Sequence, residues 1–164
     1  MSRGQRMLRY IAIVWEGKNA SQCDAANLLL SRIHSSLPDW REALSIKNAR
    51  VFCTGEQRGT SMIQRLSDDG GVILGSLFQQ GNDAITQPSD VTNAETTTSI
   101  LSTSGRLLIQ SYWGNYVAFL REPHANILRV LRSPLGALPC LRAAFRDVHI
   151  YFSYLPDYET LQVS

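Results

Sequence analysis

This chain has little of most things that would announce a function. Cysteine is scarce: Cys23, Cys53 and Cys140 are odd in number and far apart, and form no Cys-x-x-Cys pair. That excludes a disulfide framework and a zinc knuckle, and favours a reducing, cytoplasmic setting. Excess charge of either sign is also missing. The formal net charge is +2, and the basic residues are scattered, so a phosphate-tracking surface for nucleic acid is not expected. No apolar run is long enough to cross a bilayer. Arg3 and Arg6 precede an apolar stretch, but it is only about a strand long and lacks a small-residue cleavage site, so no secretory signal is read there. Repeats and low-complexity segments are absent. No metal site is expected. What remains is a 164-residue chain that is 44% apolar, enough for one domain to bury most of its apolar surface unaided.

Residues 8–15, broken only by Arg9, form a nearly continuous apolar run before the turn signal EGKN and read as a central strand buried on both faces. Ser21-Gln22-Cys23-Asp24 resembles a capping box. It opens a predicted helix carrying Ala25, Leu28, Leu29 and Ile33 that stops at Pro38. His34, without a carboxylate or second histidine in company, reads as a partly exposed polar residue. Strands are predicted at ARVFCT (49–54), TSMIQRL (60–66) and GVILGSLF (71–78). Ser89-Asp90 or Asn93 can cap a second helix that Gly105 interrupts. GNYVAFLRE, NILRVLRS, CLRAAFR and DVHIYFSY then read as a four-stranded antiparallel meander. A last helix begins near Leu155, capped by Asp157, with Tyr158 and Leu161 facing inward. This order points to an α+β fold with antiparallel sheets and helices outside.

One segment is more specific. In RVLRSPLGALPC (129–140) an arginine, a serine, a Pro-containing turn, a glycine and a second proline follow a strand-like run directly. Together with YWGNYVAFLRE upstream and VHIYFSYLPDYETL downstream, it resembles the class II glutamine amidotransferase domain at the N-terminus of asparagine synthetases. WGNYVAFLRE…ILRVLRSPLGALPC and GVILGSLFQQGN are similar, more closely still, to the asparagine-synthetase-like cyclases that close the macrolactam ring of bacterial lasso peptides. The similarity runs over most of the chain and is strongest over 71–81 and 106–160. It implies a four-layer α-β-β-α sandwich of the N-terminal-nucleophile type over residues 8–164, behind a flexible tail at 1–7.

Against that pattern the chemistry is depleted. Active members carry cysteine directly after the initiator Met, so that its free α-amine serves as base to the thiolate. Here the matching positions fall at residues 8–10, and no nucleophile stands there. The three cysteines carry no free α-amine. Ser2 would be N-terminal after Met removal, but it sits in a polar tail well before the strand. The glutamine-holding motifs are missing, GSLFQQGND standing where one would be; Arg50 and Arg58 as a carboxylate clamp read more simply as solvated turn or strand-edge residues.

The expectation is therefore no catalytic residue in this chain. Arg132, Ser133, Gly136, Pro139, Trp113 and Gly114 are instead structural or interface residues of a hairpin at a domain boundary, with Arg132 available for a contact across it. Tyr112, Trp113, Tyr154 and Tyr158 are expected to supply a partly exposed apolar face. The resemblance implies an ATP- and Mg-dependent synthetase domain, absent from this chain, as partner, with a precursor peptide as a second. A chain that joins a peptide's own amine to an activated carboxylate needs no ammonia, which makes the glutaminase nucleophile dispensable. The alternatives are a free-standing peptide-binding module acting by strand addition, and an active amidohydrolase using Ser2.

Overall fold

The computed structural model describes residues 7–55, 62–81 and 88–163. Ser2 and Arg58, and most of the tail expected at 1–7, lie outside them. The fold is α+β, with two antiparallel sheets. The described residues divide into two compact units: residues 7–55 with 139–163 form one, and residues 62–81 with 88–138 form the other.

The unit holding both ends of the described chain is built on β1 (Arg9–Val14), α1 (Ala20–Ser36), β2 (Arg41–Ile46) and β3 (Ala49–Thr54). Its sheet, in the order β2-β3-β1-β9-β8, is completed by β8 (Leu141–Phe145) and β9 (Val148–Phe152). The expectation for β1 holds: it is a middle strand. Ile11 and Ile13 pack in one cluster with Ala25, Ala26, Leu29 and Ile33 of α1, while Tyr10 and Ala12 on the opposite face are also fully buried. A helix of 17 residues with few strong local pairs is marginal alone. Burying side chains such as Leu29 and Ile33, each contributing about 1.5–3 kcal/mol, is what holds it.

One local reading is corrected here, and one strand is added to those read from the sequence. The helix starts earlier than the Ser21–Asp24 box implies, because the Asn19 side chain already accepts from the Gln22 amide at 2.8 Å. REALSI, which lacks strand alternation, forms β2 nonetheless: pairing with β3 overrides its helix-forming Glu, Ala and Leu.

The other unit contains β4 (Ile63–Leu66), β5 (Gly71–Gln79), α2 (Ala94–Ser102), α3 (Arg106–Ser111), β6 (Tyr112–Arg121) and β7 (Leu128–Arg132). Its sheet runs β4-β5-β6-β7. Asn93 is the cap of α2, accepting from the Thr96 amide, and the helical stretch breaks at Gly105 as expected. Ile100 and Leu108 pack with Ile73, Leu77, Tyr116, Ala118 and Leu120 of the sheet. The buried Gln64 amide is satisfied at both ends, donating to the Ser89 carbonyl and accepting from the Val91 amide, each at 2.9 Å. That fixes the chain leading to α2.

The meander is not a meander. Its four strands are two hairpins in different sheets, β6–β7 in one and β8–β9 in the other. Alternation and short turns look the same in both arrangements, so the sequence pattern could not tell them apart.

The β8–β9 hairpin closes on a two-residue turn, Arg146-Asp147, with φ of 47° and 64°. Both positions are left-handed, as in a type I′ turn, yet neither is the Asn or Gly such turns favour. The Gln22 side chain donates to the Asp147 carbonyl at 2.8 Å and ties this turn to α1. Asp147→Gly keeps that carbonyl and relieves the left-handed cost, so a gain of about 0.5–1 kcal/mol is expected in urea denaturation.

Among the described residues, no helix is long and apolar enough to cross a membrane.

Candidate functional site

The tip of β1 is where the resemblance would seat a nucleophile, and its geometry is that of a closed polar cluster. Arg9 opens the strand, and α4 (Leu155–Glu159) supplies Asp157, whose Oδ1 lies 3.4 Å from Arg9 Nη1. The guanidinium carbon sits 5.9 Å from the Trp40 ring centre and 5.3 Å from that of Tyr154, within reach of cation–π attraction. The two partners differ in solvation: the Asp157 side chain is 8% exposed and that of Arg9 39%. Asp157 Oδ2 is buried without a hydrogen-bond partner. Burial raises the carboxyl pKa above its ordinary value, and the Arg9 charge pulls it partly back.

Asp157 is therefore not the helix cap the sequence pattern assigns it. Tyr154 stands at the cap position with no side-chain bond, and Pro156 in the first turn needs none of its own. A carboxylate on a short helix beside a lone strand arginine is recruited by the charge. One signal was present beforehand: Arg9 is the single charge in an otherwise apolar middle strand, and such a charge needs a counterion.

Tyr10, next along, is fully buried. Its amide donates to Ser153 Oγ at 2.9 Å, its carbonyl accepts from the Ser153 amide at 3.1 Å, and its hydroxyl donates to the Pro139 carbonyl at 2.8 Å. Cys53 stands opposite Tyr10 on β3, 1% exposed. Cys23 lies in α1 and Cys140 follows Pro139; none of the three is in a disulfide. Ser153 is the hydroxyl nearest the strand tip in sequence pairing, yet no imidazole or amine among the described residues is bonded to it. Without such a base, a serine hydroxyl is a weak nucleophile. No group of three His, Cys, Asp or Glu side chains that could hold a metal occurs among the described residues.

The stretch 129–140 is not a hairpin either. It is the connection by which the chain leaves one sheet and enters the other, and the division between the two units falls between Leu138 and Pro139. Ser133, 3% exposed, donates its hydroxyl to the Gly114 carbonyl at 2.6 Å. The Gly136 amide returns to the Ser133 carbonyl at 3.1 Å, closing the turn around Pro134-Leu135. A Cβ on Gly136 would lie 3.0 Å from that of Ser133, so close approach, not a left-handed φ, is what glycine provides there. The Ala137 amide donates to Asn115 Oδ1 at 2.7 Å.

Arg132, expected to reach across a junction, instead donates to the Gly136 carbonyl at 2.9 Å. With serine rather than a carboxylate at position 133, a turn carbonyl orients the guanidinium. Five of the six interface candidates thus fall in one place: Gly114, Arg132, Ser133 and Gly136 stitch the turn to β6, with Trp113 beside them on the strand, stacked on Phe78 at 4.7 Å and 41% exposed. Pro139 belongs to the other unit, at Tyr10.

The expected aromatic face is only partly free. Tyr154 is taken by Arg9 and Tyr158 stacks on Phe152 at 4.7 Å. Arg50 is not a solvated edge residue: it donates to the Ile46 and Ala49 carbonyls and lies beside Glu42 and the Trp15 ring. A groove of about 550 Å³ between α2 and the β6–β7 turn is lined by Thr98, Leu101, Ser102, Glu122 and His124. Its polar groups are largely committed, Thr98 and Ser102 to helix carbonyls and Glu122 to Arg129 at 2.6 Å.

Comparison with protein-family models, with curated proteins and with solved structures finds no match to this chain.

Proposed function

We propose that this chain is a catalytically silent glutamine-amidotransferase-like domain of an asparagine-synthetase-like, ATP-dependent amide ligase of the lasso peptide cyclase type, working in the cytoplasm. In this reading the finer architecture is the four-layer α-β-β-α sandwich of the N-terminal-nucleophile class. Helices on one face of each sheet, with buried residues such as Tyr10, Ala12, Val72 and Phe119 on the other, support it. The observation that carries the functional reading is the tip of β1, where an arginine–aspartate pair flanked by Trp40 and Tyr154 fills the place a thiolate and its amine would need.

The partner is a synthetase domain holding ATP and Mg. That domain activates a side-chain carboxylate of a precursor peptide by adenylation; the peptide's own amine then displaces AMP and forms the ring amide. The present domain contributes shape and a packing surface. It supplies no ammonia.

The test is reconstitution of this chain with the ATP-dependent half and a precursor peptide, followed by mass spectrometry. The expected result is ATP-dependent loss of one water from the peptide, unchanged when glutamine is withheld, together with no glutamine hydrolysis by this chain alone. Ring closure that requires glutamine, or glutaminase activity abolished by Ser2→Ala, would overturn the reading in favour of an active amidohydrolase.

A further inference from the structure

Both sheets have open edges, and they are not equally protected. β2, at one end of the five-stranded sheet, carries an irregularity in its register between Glu42 and Leu44, a device that spoils an edge for further pairing. β7, at the edge of the other sheet, has its Arg129 neutralised by Glu122 at 2.6 Å.

β8 has a regular ladder and an arginine without a carboxylate partner among the described residues. Its ladder with β9 is regular from Leu141↔Phe152 to Phe145↔Val148, and it contains no proline or lysine. Among the described residues its outer edge has no partner strand. Leu141, Arg142 and Ala144 are exposed, and Arg146 just beyond is exposed too.

The charge on β8 itself is one-sided. Arg142 Nη2 lies 3.1 Å from His149 Nδ1, a ring that is itself a base, and Arg146 rests over the Phe145 ring at 5.0 Å. Among the described residues neither forms an ion pair, although Asp147 follows Arg146 in the turn; of the other carboxylates of this unit, Glu16 is paired with Lys18, Glu42 with Arg50 and Asp157 with Arg9. Alternation along the strand puts Ala143 and Phe145 toward the α1 core, and Arg142 and Ala144 on the other face beside His149. Ala144 leaves room between the two arginines for a side chain of an added strand.

We infer that the β8 edge is a docking site for an extended acidic peptide segment, which would add a strand beside β8 and set a carboxylate against Arg142 and His149. Main-chain pairing would supply affinity and the arginines the choice of partner. A second copy of this chain is the poorer occupant, since pairing β8 with itself would put two Arg142 side chains on one short ladder with no carboxylate between them. Nucleic acid is disfavoured by the scattered basic residues and the net charge of +2. This inference goes beyond the amidotransferase-like reading and does not depend on it.

The probe is a synthetic peptide of about eight residues alternating Glu with Val, a typical strand length. It is titrated into the full chain while backbone amide shifts are recorded. Shifts centred on residues 141–146, weakened about tenfold by Arg142→Glu and by raised salt, are expected. A copy of the peptide N-methylated at alternate residues should lose binding, because it cannot pair. Equal binding by a Lys-for-Glu peptide, indifference to N-methylation, shifts centred elsewhere, a dimer formed through β8 in sedimentation, or no shift at millimolar peptide would each overturn it. None of these outcomes bears on ring closure in the reconstituted ligase, so the two readings fail separately.

Discussion

Arg9→Ala is expected to destabilise the fold by about 2–3 kcal/mol at neutral pH, and most of that loss should disappear when Asp157→Asn is added. A buried carboxylate deprived of its cation typically costs about 3–5 kcal/mol, and the lower figure applies because Arg9 is 39% exposed and water screens part of the pair. Lost contact with the Trp40 and Tyr154 rings adds about 0.5–1 kcal/mol that the second substitution cannot restore. Chemical denaturation of the wild type, both single variants and the double variant closes the cycle. An Arg9→Ala loss that persists in full beside Asp157→Asn would show that Arg9 acts by packing alone.

The pair also has a pH signature with a definite sign. Burial holds the Asp157 pKa above its unfolded value despite Arg9. As pH rises from the ordinary aspartate range to the raised folded value, the unfolded chain has already released a proton that the folded chain still binds. Stability from this group is therefore greatest below the unfolded pKa and falls as pH rises through the folded one. Asp157→Asn should remove that slope. Arg9→Ala, which takes away the only influence lowering the pKa, should carry the fall to higher pH.

This cluster shows how far local sequence pattern reaches. The apolar run of β1 made a buried middle strand legible, because both of its faces must be covered by something. Its lone arginine marked a problem that the fold had to solve. The solution lies 148 residues away on a five-residue helix, where Asp157 had an equally good local explanation as a cap. The same ambiguity hid the course of residues 129–140: a Pro-Gly turn between two alternating strands closes a hairpin or crosses between sheets with the same residues. What decides is long-range partnership, here Ser133 with Gly114 on one side and Pro139 with Tyr10 on the other. β2 was silent for the opposite reason, since its residues favour helix and only β3 makes them a strand.

Gly75→Ala is the substitution expected to do most damage to the other unit. Gly75 lies in the middle of β5, paired with Tyr116, at a φ of +108° that an L-residue rarely adopts. A Cβ there would stand 2.0 Å from the Asn115 carbonyl oxygen on the neighbouring strand, a backbone atom that cannot swing away. Gly114, two rungs along the ladder on β6, returns the relation: its Cβ would meet the Ser76 carbonyl oxygen at 2.2 Å, at a φ of +132°. The two glycines thus let β5 and β6 approach where the ladder passes from buried residues to the stack of half-buried Phe78 on exposed Trp113. Relief would require separating the strands, which would break the Ser133 hydroxyl bond to Gly114 and loosen the crossing turn. The expected cost is about 3 kcal/mol or more, with amide exchange accelerating along both strands and in residues 133–137. Ser76→Ala, at a partly buried position between them, should cost little. If Gly75→Ala were equally mild, the close approach of β5 and β6 at this rung would be wrong, and with it the account of how the crossing turn is held.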